Sequence, residues 1–243
     1  MPDTKQDIVS RLRKDILLWE GFKPPSAGMS GGIGLGPVES AFPNGIFPTG
    51  VIHEMVCPTP EQAAATSGFM GGLLASLMQQ GGVCLWIGIS RKLFPPALMI
   101  FNVEPDRMIF VDLQREKDVL WATEEALKCE GVAAVVAELR EISFAQSRRL
   151  QLAVENSKVT GFIVRNDPRK INTTTCVARW QITHLPSELE KDMPGVGFPR
   201  WQVELLKVRN GTPGSWELEW VNSCFKPIEE KITASQLIER KAG

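Results

Sequence analysis

The sequence predicts an α/β fold: a mostly parallel sheet covered by helices on both faces, with antiparallel C-terminal strands. Three observations predict it. Short apolar runs alternate with helical segments along the middle of the chain. These runs are apolar throughout, as strands buried on both faces must be. After residue 200 the pattern changes to alternation of apolar with polar residues, the signature of strands with one wet face. At 243 residues, 43% of them hydrophobic and 23% charged, the chain is long enough and apolar enough to bury such a core.

The elements follow in order. Ile8, Leu12, Ile16 and Trp19 recur at helical spacing with Arg11, Arg13, Lys14 and Asp15 between them, so residues 1–23 read as an amphipathic helix ended by Pro24-Pro25. Residues 24–50 hold Gly28, Gly31, Gly32, Gly34, Gly36, Pro37, Pro43, Gly45 and Pro48, and read as a Gly/Pro-rich linker and turn. The body, 51–225, opens with a β-branched strand at 51–56 and a buried helix at 62–80. Strands are predicted at 83–89, 108–111, 132–139 and 160–164. A short helical piece opens at Pro95-Pro96, and helices are predicted at 120–129 and 144–155. Strands at 173–182, 201–208 and 216–221 complete it, the last two joined by the turn Asn210-Gly211-Thr212-Pro213-Gly214. Residues 226–243 read as a tail with Ile228, Ile232, Leu237 and Ile238 spaced among charges.

Composition excludes several functions. The formal charge is −1, from 27 basic and 28 acidic residues, which is wrong for a domain held on nucleic acid by bulk electrostatics. With no Tyr and two His, tyrosine chemistry is absent and a histidine-rich metal site is excluded. The five Cys are scattered without a C-x-x-C pair, which suits buried thiols in a reducing compartment. The first residues are polar, and the longest apolar helical stretch stops at Gln79-Gln80, short of the roughly 18 residues a membrane span needs. These features point to a cytoplasmic protein.

A strand, loop and helix at residues 51–80 is where a phosphate-binding loop would sit. Such a loop needs G-x-x-x-x-G-K-[ST], with glycines to bring N–H groups onto phosphate, Lys for its charge and a hydroxyl for Mg²⁺. The sequence there is Cys57-Pro-Thr-Pro-Glu-Gln-Ala-Ala-Ala-Thr66. Residues 24–90 contain no Lys or Arg and carry Glu39, Glu54 and Glu61, a formal charge of −3. An anionic triphosphate meets the wrong sign, so neither a nucleotide cofactor nor a metal is expected.

Five further features carry weaker signals. Gly31-Gly32-Ile-Gly34-Leu-Gly36 does not lie between a predicted strand and helix, so it reads as a turn. Glu138, at the carboxyl end of a strand where sheet enzymes place metal-binding acids, reads as a hydrogen-bonded structural carboxylate. Arg148 and Arg149 read as a solvated helix face or as an anchor for an acidic partner surface. Trp201, Trp216 and Trp220 read as packing against a helix, with base stacking on an aromatic face as the alternative, and His53 with Cys57 lacks the third group a catalytic dyad needs.

Beyond these readings the chain resembles a known group. The run from Gly36 to Glu54 resembles the entry to a RecA-like core. Leu120-Trp-Ala-Thr-Glu-Glu-Ala-Leu127, Gly131-Val-Ala-Ala-Val-Val-Ala-Glu138 and Arg148-Arg-Leu-Gln-Leu-Ala153 are similar to the ImuA family of RecA/SulA-like proteins. The resemblance implies a RecA-like core and a non-catalytic accessory role in SOS-type mutagenic DNA repair (translesion synthesis). It implies an ImuB-like polymerase-related protein and an error-prone DNA polymerase as partners, with RecA or a second copy also open, and direct DNA contact weak or indirect. Against a RecA pattern the loop lacks its Lys and second glycine, and Gly88 and Ser90 stand where acids would follow the second strand. Ile8, Leu12, Ile16, Trp19, Arg148, Arg149, Ile232, Leu237 and Ile238 are the candidate partner-binding residues. Two alternatives stay open on the same fold: a SulA-like division inhibitor that binds FtsZ, and an ATPase with an unorthodox site.

Overall fold

A computed structural model describes residues 11, 12, 15, 33–79, 81–89, 93–188 and 196–228. Its elements are β1 (Ile52–Cys57), α1 (Pro60–Leu77), β2 (Val83–Gly88), a 3-10 turn (Pro95–Phe101), β3 (Met108–Asp112), α2 (Glu116–Leu127) and β4 (Val132–Leu139). They continue with α3 (Phe144–Ser157), β5 (Thr160–Asn166), β6 (Ala178–Leu185), β7 (Arg200–Val208), β8 (Gly214–Val221) and β9 (Cys224–Pro227). Among the described residues the nine strands make one sheet in the order β3-β2-β4-β5-β1-β6-β7-β8-β9. The α/β expectation holds: β1 to β5 pair in parallel, and β7, β8 and β9 extend the sheet antiparallel. None of the described helices is long and apolar enough to cross a membrane.

Pleating sends alternate residues to the two faces. Met55, Trp86, Val136, Phe162 and Trp180 pack on one face under Phe69, Met70, Leu73 and Leu74 of α1. Ile52, Ile87, Val135, Ala137 and Ile163 pack on the other under Val119 and Leu127 of α2 and Leu150 and Val154 of α3. The helices start where the sequence can satisfy their first N–H groups. Thr59 Oγ1 caps α1 by accepting from Gln62 N, and Ser143 with Gln146 forms a reciprocal capping box on α3.

The structure departs from the sequence reading in three places. Residues 33–50 are more than loop: they form 3-10 turns at Gly36–Ala41 and Pro43–Gly45 and bury Leu35, Val38, Phe42 and Phe47 in the α1-side core. Their glycines serve tight turns, as at Gly34 (φ +79°) and Gly36 (φ +59°), whose segment Glu39 Oε1 closes by accepting from Gly34 N and Leu35 N. Secondly, the strand expected over 173–182 runs Ala178–Leu185 and is parallel to β1, with His53 opposite Ala178; antiparallel pairing begins between β6 and β7. The 11 residues between β5 and β6 are enough to return the chain to the same end of the sheet, as a parallel crossover requires. Thirdly, β9 was not expected: four residues, with Phe225 its one buried side chain, carry too little pattern.

Candidate functional site

In sheets of this kind ligands bind beyond the carboxyl ends of the strands. Here that position lies over the ends of β1, β4 and β5. The start of α1 is closed to an anion by its own residues. Pro60 at the first helical position has no N–H to offer, Thr59 caps Gln62 N, and Glu61 sits in the first turn. The carboxyl of Glu61 is held below its usual range, first by its own backbone N–H and then by the Thr59 hydroxyl.

Beside this helix start lies a cavity of about 300 Å³. Ala63, Ala64 and Gly68 of α1 form one wall, and Leu93, Ala97, Leu98 and Phe101 form the other, where the 95–101 turn folds back onto α1. Val164, Asn166 and Glu138 make the floor. Phe94 stands at the lining with 68% of its surface exposed. Glu138 is hydrogen-bonded, as expected: Trp86 Nε1 donates to its Oε1 at 2.6 Å and Asn166 Nδ2 to its Oε2 at 3.3 Å. Gly88 lies opposite, where an added Cβ would meet the Glu138 Cβ at 3.4 Å, an ordinary van der Waals contact. Ser90 lies outside the described residues. No Lys or Arg is among the described lining residues, and no group of three or more His, Cys, Asp or Glu among the described residues could hold a metal ion.

His53 and Cys57 do not act on each other. His53 is stacked between Phe47 (4.5 Å) and Phe162 (5.2 Å), its Nε2 donates to Pro48 O, and its Nδ1 accepts from Trp180 Nε1. Burial pulls its pKa down to about 4, so the ring is neutral. Cys57 Sγ donates to Thr66 Oγ1, and burial pushes its thiol up to about 11, away from the reactive thiolate.

Sequence reasoning missed a buried ionic knot beside this edge. Glu54, fully buried in β1, accepts from Arg165 Nη1 (3.0 Å), Arg179 Nε (2.9 Å) and Thr174 Oγ1 (2.7 Å). Arg165, equally buried in β5, also donates to Glu141 Oε2 (2.8 Å) and to Lys170 O (2.7 Å). The signal was present: a Glu and an Arg inside otherwise apolar strands each demand a partner. The knot ties the β5–β6 connection across β1 and leaves no charge free for chemistry.

Of the candidate partner-binding residues, Leu12, Arg148 and Arg149 are among the described residues. Arg148 and Arg149 are exposed on α3, where Arg148 pairs with Glu155 at 3.5 Å and Arg149 pairs with Glu124 of α2. Leu12 is helical and 53% exposed. Ile8, Ile16, Trp19, Ile232, Leu237 and Ile238 lie outside the described residues. Trp201 and Trp220 are buried among Phe69, Phe101 and Phe225, which bears out packing over base stacking. The sequence strings 120–127 and 148–153 occupy neighbouring helices, with Trp121 and Leu152 exposed on them.

The sequence matches no family model. It is similar to Protein ImuA of Caulobacter vibrioides, in two strains, with 34% identity over 194 residues that span 75% of this chain and 80% of the relative.

Proposed function

The chain belongs to the ImuA family, and from that membership we propose that it is a non-catalytic accessory protein of SOS-type mutagenic DNA repair, working by protein–protein binding in translesion synthesis. The observation that carries the non-catalytic reading is the carboxyl-edge cavity: apolar walls, a carboxylate on the floor, no basic side chain among the described lining residues and a helix start already capped. Phosphoryl chemistry needs cationic and N–H groups aimed at the transferring phosphate. The partners are an ImuB-like polymerase-related protein and an error-prone polymerase, and the protein acts in the cytoplasm. The sheet then serves as a scaffold, and the work falls to surfaces such as Arg148, Arg149 and the terminal segments.

Two measurements test this. Isothermal titration with Mg-ATP should show no binding at micromolar concentration; micromolar affinity overturns the non-catalytic reading. Co-purification with the ImuB-like partner should succeed with the full chain and fail when residues 1–23 and 226–243 are both removed while the core stays folded. Capture of FtsZ instead would favour the division-inhibitor alternative.

A further inference from the structure

The turn that packs over α1 is apolar on its outer side as well as its inner one. Phe94-Pro-Pro-Ala-Leu-Met-Ile-Phe101 runs without a polar side chain. Leu98 and Phe101 are buried in the α1-side core. A 3-10 segment has three residues per turn, so the two side chains between them face outward. These are Met99 and Ile100, 59% and 64% exposed, and Phe94 at the start of the run is 68% exposed. Three large apolar groups within seven residues of surface mark a place that another segment covers.

The chain that can cover it leaves from the same side of the molecule. Asn102 Nδ2 donates to Ser223 Oγ at 2.5 Å and Trp220 Nε1 donates to Ile100 O at 3.4 Å, which ties the turn to the β8–β9 hairpin. From that hairpin β9 leads to Ile228, the last described residue, whose N–H donates to Glu217 O. Ile228 is five residues past Ser223, about 17 Å along an extended strand. The five residues 229–233 are long enough to cover that distance back. The sequence there carries the start signal of a helix: Thr233-Ala-Ser-Gln236 has the form of a capping box, and Ile232 and Leu237 hold the two positions of a hydrophobic staple. So short a helix is marginal alone in water and draws its stability from a surface it packs on.

We propose that the C-terminal segment of the same chain folds back as a short helix over residues 234–241 and lays Ile232, Leu237 and Ile238 on Phe94, Met99 and Ile100. This goes beyond the proposed function, since it gives the tail a seat in the free chain with no partner present. Hydrogen exchange of the full chain alone in solution tests it. Backbone amides of residues 236–241 should exchange at least about tenfold more slowly than in a free peptide of the same sequence. Met99→Asp with Ile100→Asp, at exposed positions, should return them to the peptide rate while amides of β1 and β5 stay protected. Trp121→Asp, on α2 across the sheet, should leave the tail slow. The protection should be the same after dilution. Peptide-like exchange in the parent chain overturns the proposal, as does protection that survives Met99→Asp with Ile100→Asp or is lost in Trp121→Asp. Protection that falls on dilution identifies a second copy as the source of the tail and overturns docking within one chain. Failure to capture the ImuB-like partner, with tail protection intact, refutes the proposed function and leaves this inference standing.

Discussion

Replacing Glu54 with Gln tests whether the buried knot holds the β5–β6 connection on the sheet. The carboxylate accepts from three donors, two of them cationic, at 2.7 to 3.0 Å. A Gln side chain keeps one acceptor oxygen and turns an NH₂ toward the remaining donors, so Glu54→Gln places donor against donor beside Arg179 or Arg165. Hydrogen bonds to charged groups contribute about 1.5–3 kcal/mol each, and removing one partner of a buried ion pair costs about 3–5 kcal/mol. Arg165 has no exposed side-chain surface and keeps Glu141, itself 36% exposed, as its remaining counter-charge. That retained partner sets the expected loss nearer about 3 kcal/mol, a large part of a typical stability of about 5–15 kcal/mol. Urea unfolding followed by tryptophan fluorescence should show the midpoint falling by about 1 M, for a slope of about 3 kcal/mol/M. The pair Glu54→Leu with Arg165→Met should be less destabilised than Glu54→Leu alone, since it removes the fully buried guanidinium and leaves only that of Arg179, which keeps some exposure and its bond to Asn172 O. A Glu54→Gln loss below about 1 kcal/mol, or a double variant as unstable as the sum of its parts, would refute the assignment.

Three other outcomes follow from the same core. His53 is neutral in the folded chain with its pKa down at about 4, against about 6.5 unfolded. Between those values only the unfolded chain takes up the proton, so stability should fall by about 3 kcal/mol as pH drops from about 6.5 to 4, and His53→Gln should flatten that slope in urea midpoints measured against pH. An added Cβ at Gly72 would come within 2.8 Å of Trp220 and collide with Phe225, whereas at Gly131 it meets nothing within 4 Å. Thermal unfolding should therefore show Gly72→Ala losing about 1–3 kcal/mol while Gly131→Ala stays within about 0.5 kcal/mol. Alkylation of the native chain should label exposed Cys129 first and leave Cys84 and Cys176 untouched, because both are buried, with Cys176 pushed up to about 12 and Cys84 higher still. Early labelling at either buried site would show that the core opens locally.

The parallel strands were legible because their signal is local. Residues 132–137 are six apolar or small residues in a row, followed by Glu138 and Leu139, and β4 has the expected bounds 132–139. β6 was misplaced because Thr173, Thr174, Thr175 and Val177 are β-branched for a different reason. Thr174 serves Glu54 and Thr175 serves Ser147, so these residues satisfy buried polar groups of distant elements. The cavity was not legible at all. It exists because residues 95–101 fold back so that Phe101 lies against Gly71 of α1, a contact between segments about 30 residues apart with no periodic trace in either. Glu138 was placed correctly at the strand end and as a bonded carboxylate. Its donor Trp86 could be found only once β2 and β4 were known to be adjacent.

The uneven charge of the first third of the chain takes a sharper meaning from these contacts. Residues 24–90 carry three acids and no base, which in the sequence reads as a negative loop set against phosphate. The structure assigns each acid a local task instead. Glu39 closes the turn at residues 34–35, Glu61 lies at the positive end of α1, and Glu54 is neutralised by Arg165 and Arg179 supplied from later strands. Repulsion by these carboxylates is therefore a small part of the case against a nucleotide. What counts for more is the helix start, where Pro60 and the Thr59 cap take up the N–H groups, and the lining, which among the described residues holds no cation and is largely alkyl. Restoring affinity for a phosphate by removing Glu61 alone should consequently fail. A change there that succeeded would show that charge, and not the shape and capping of the α1 start, had closed the site.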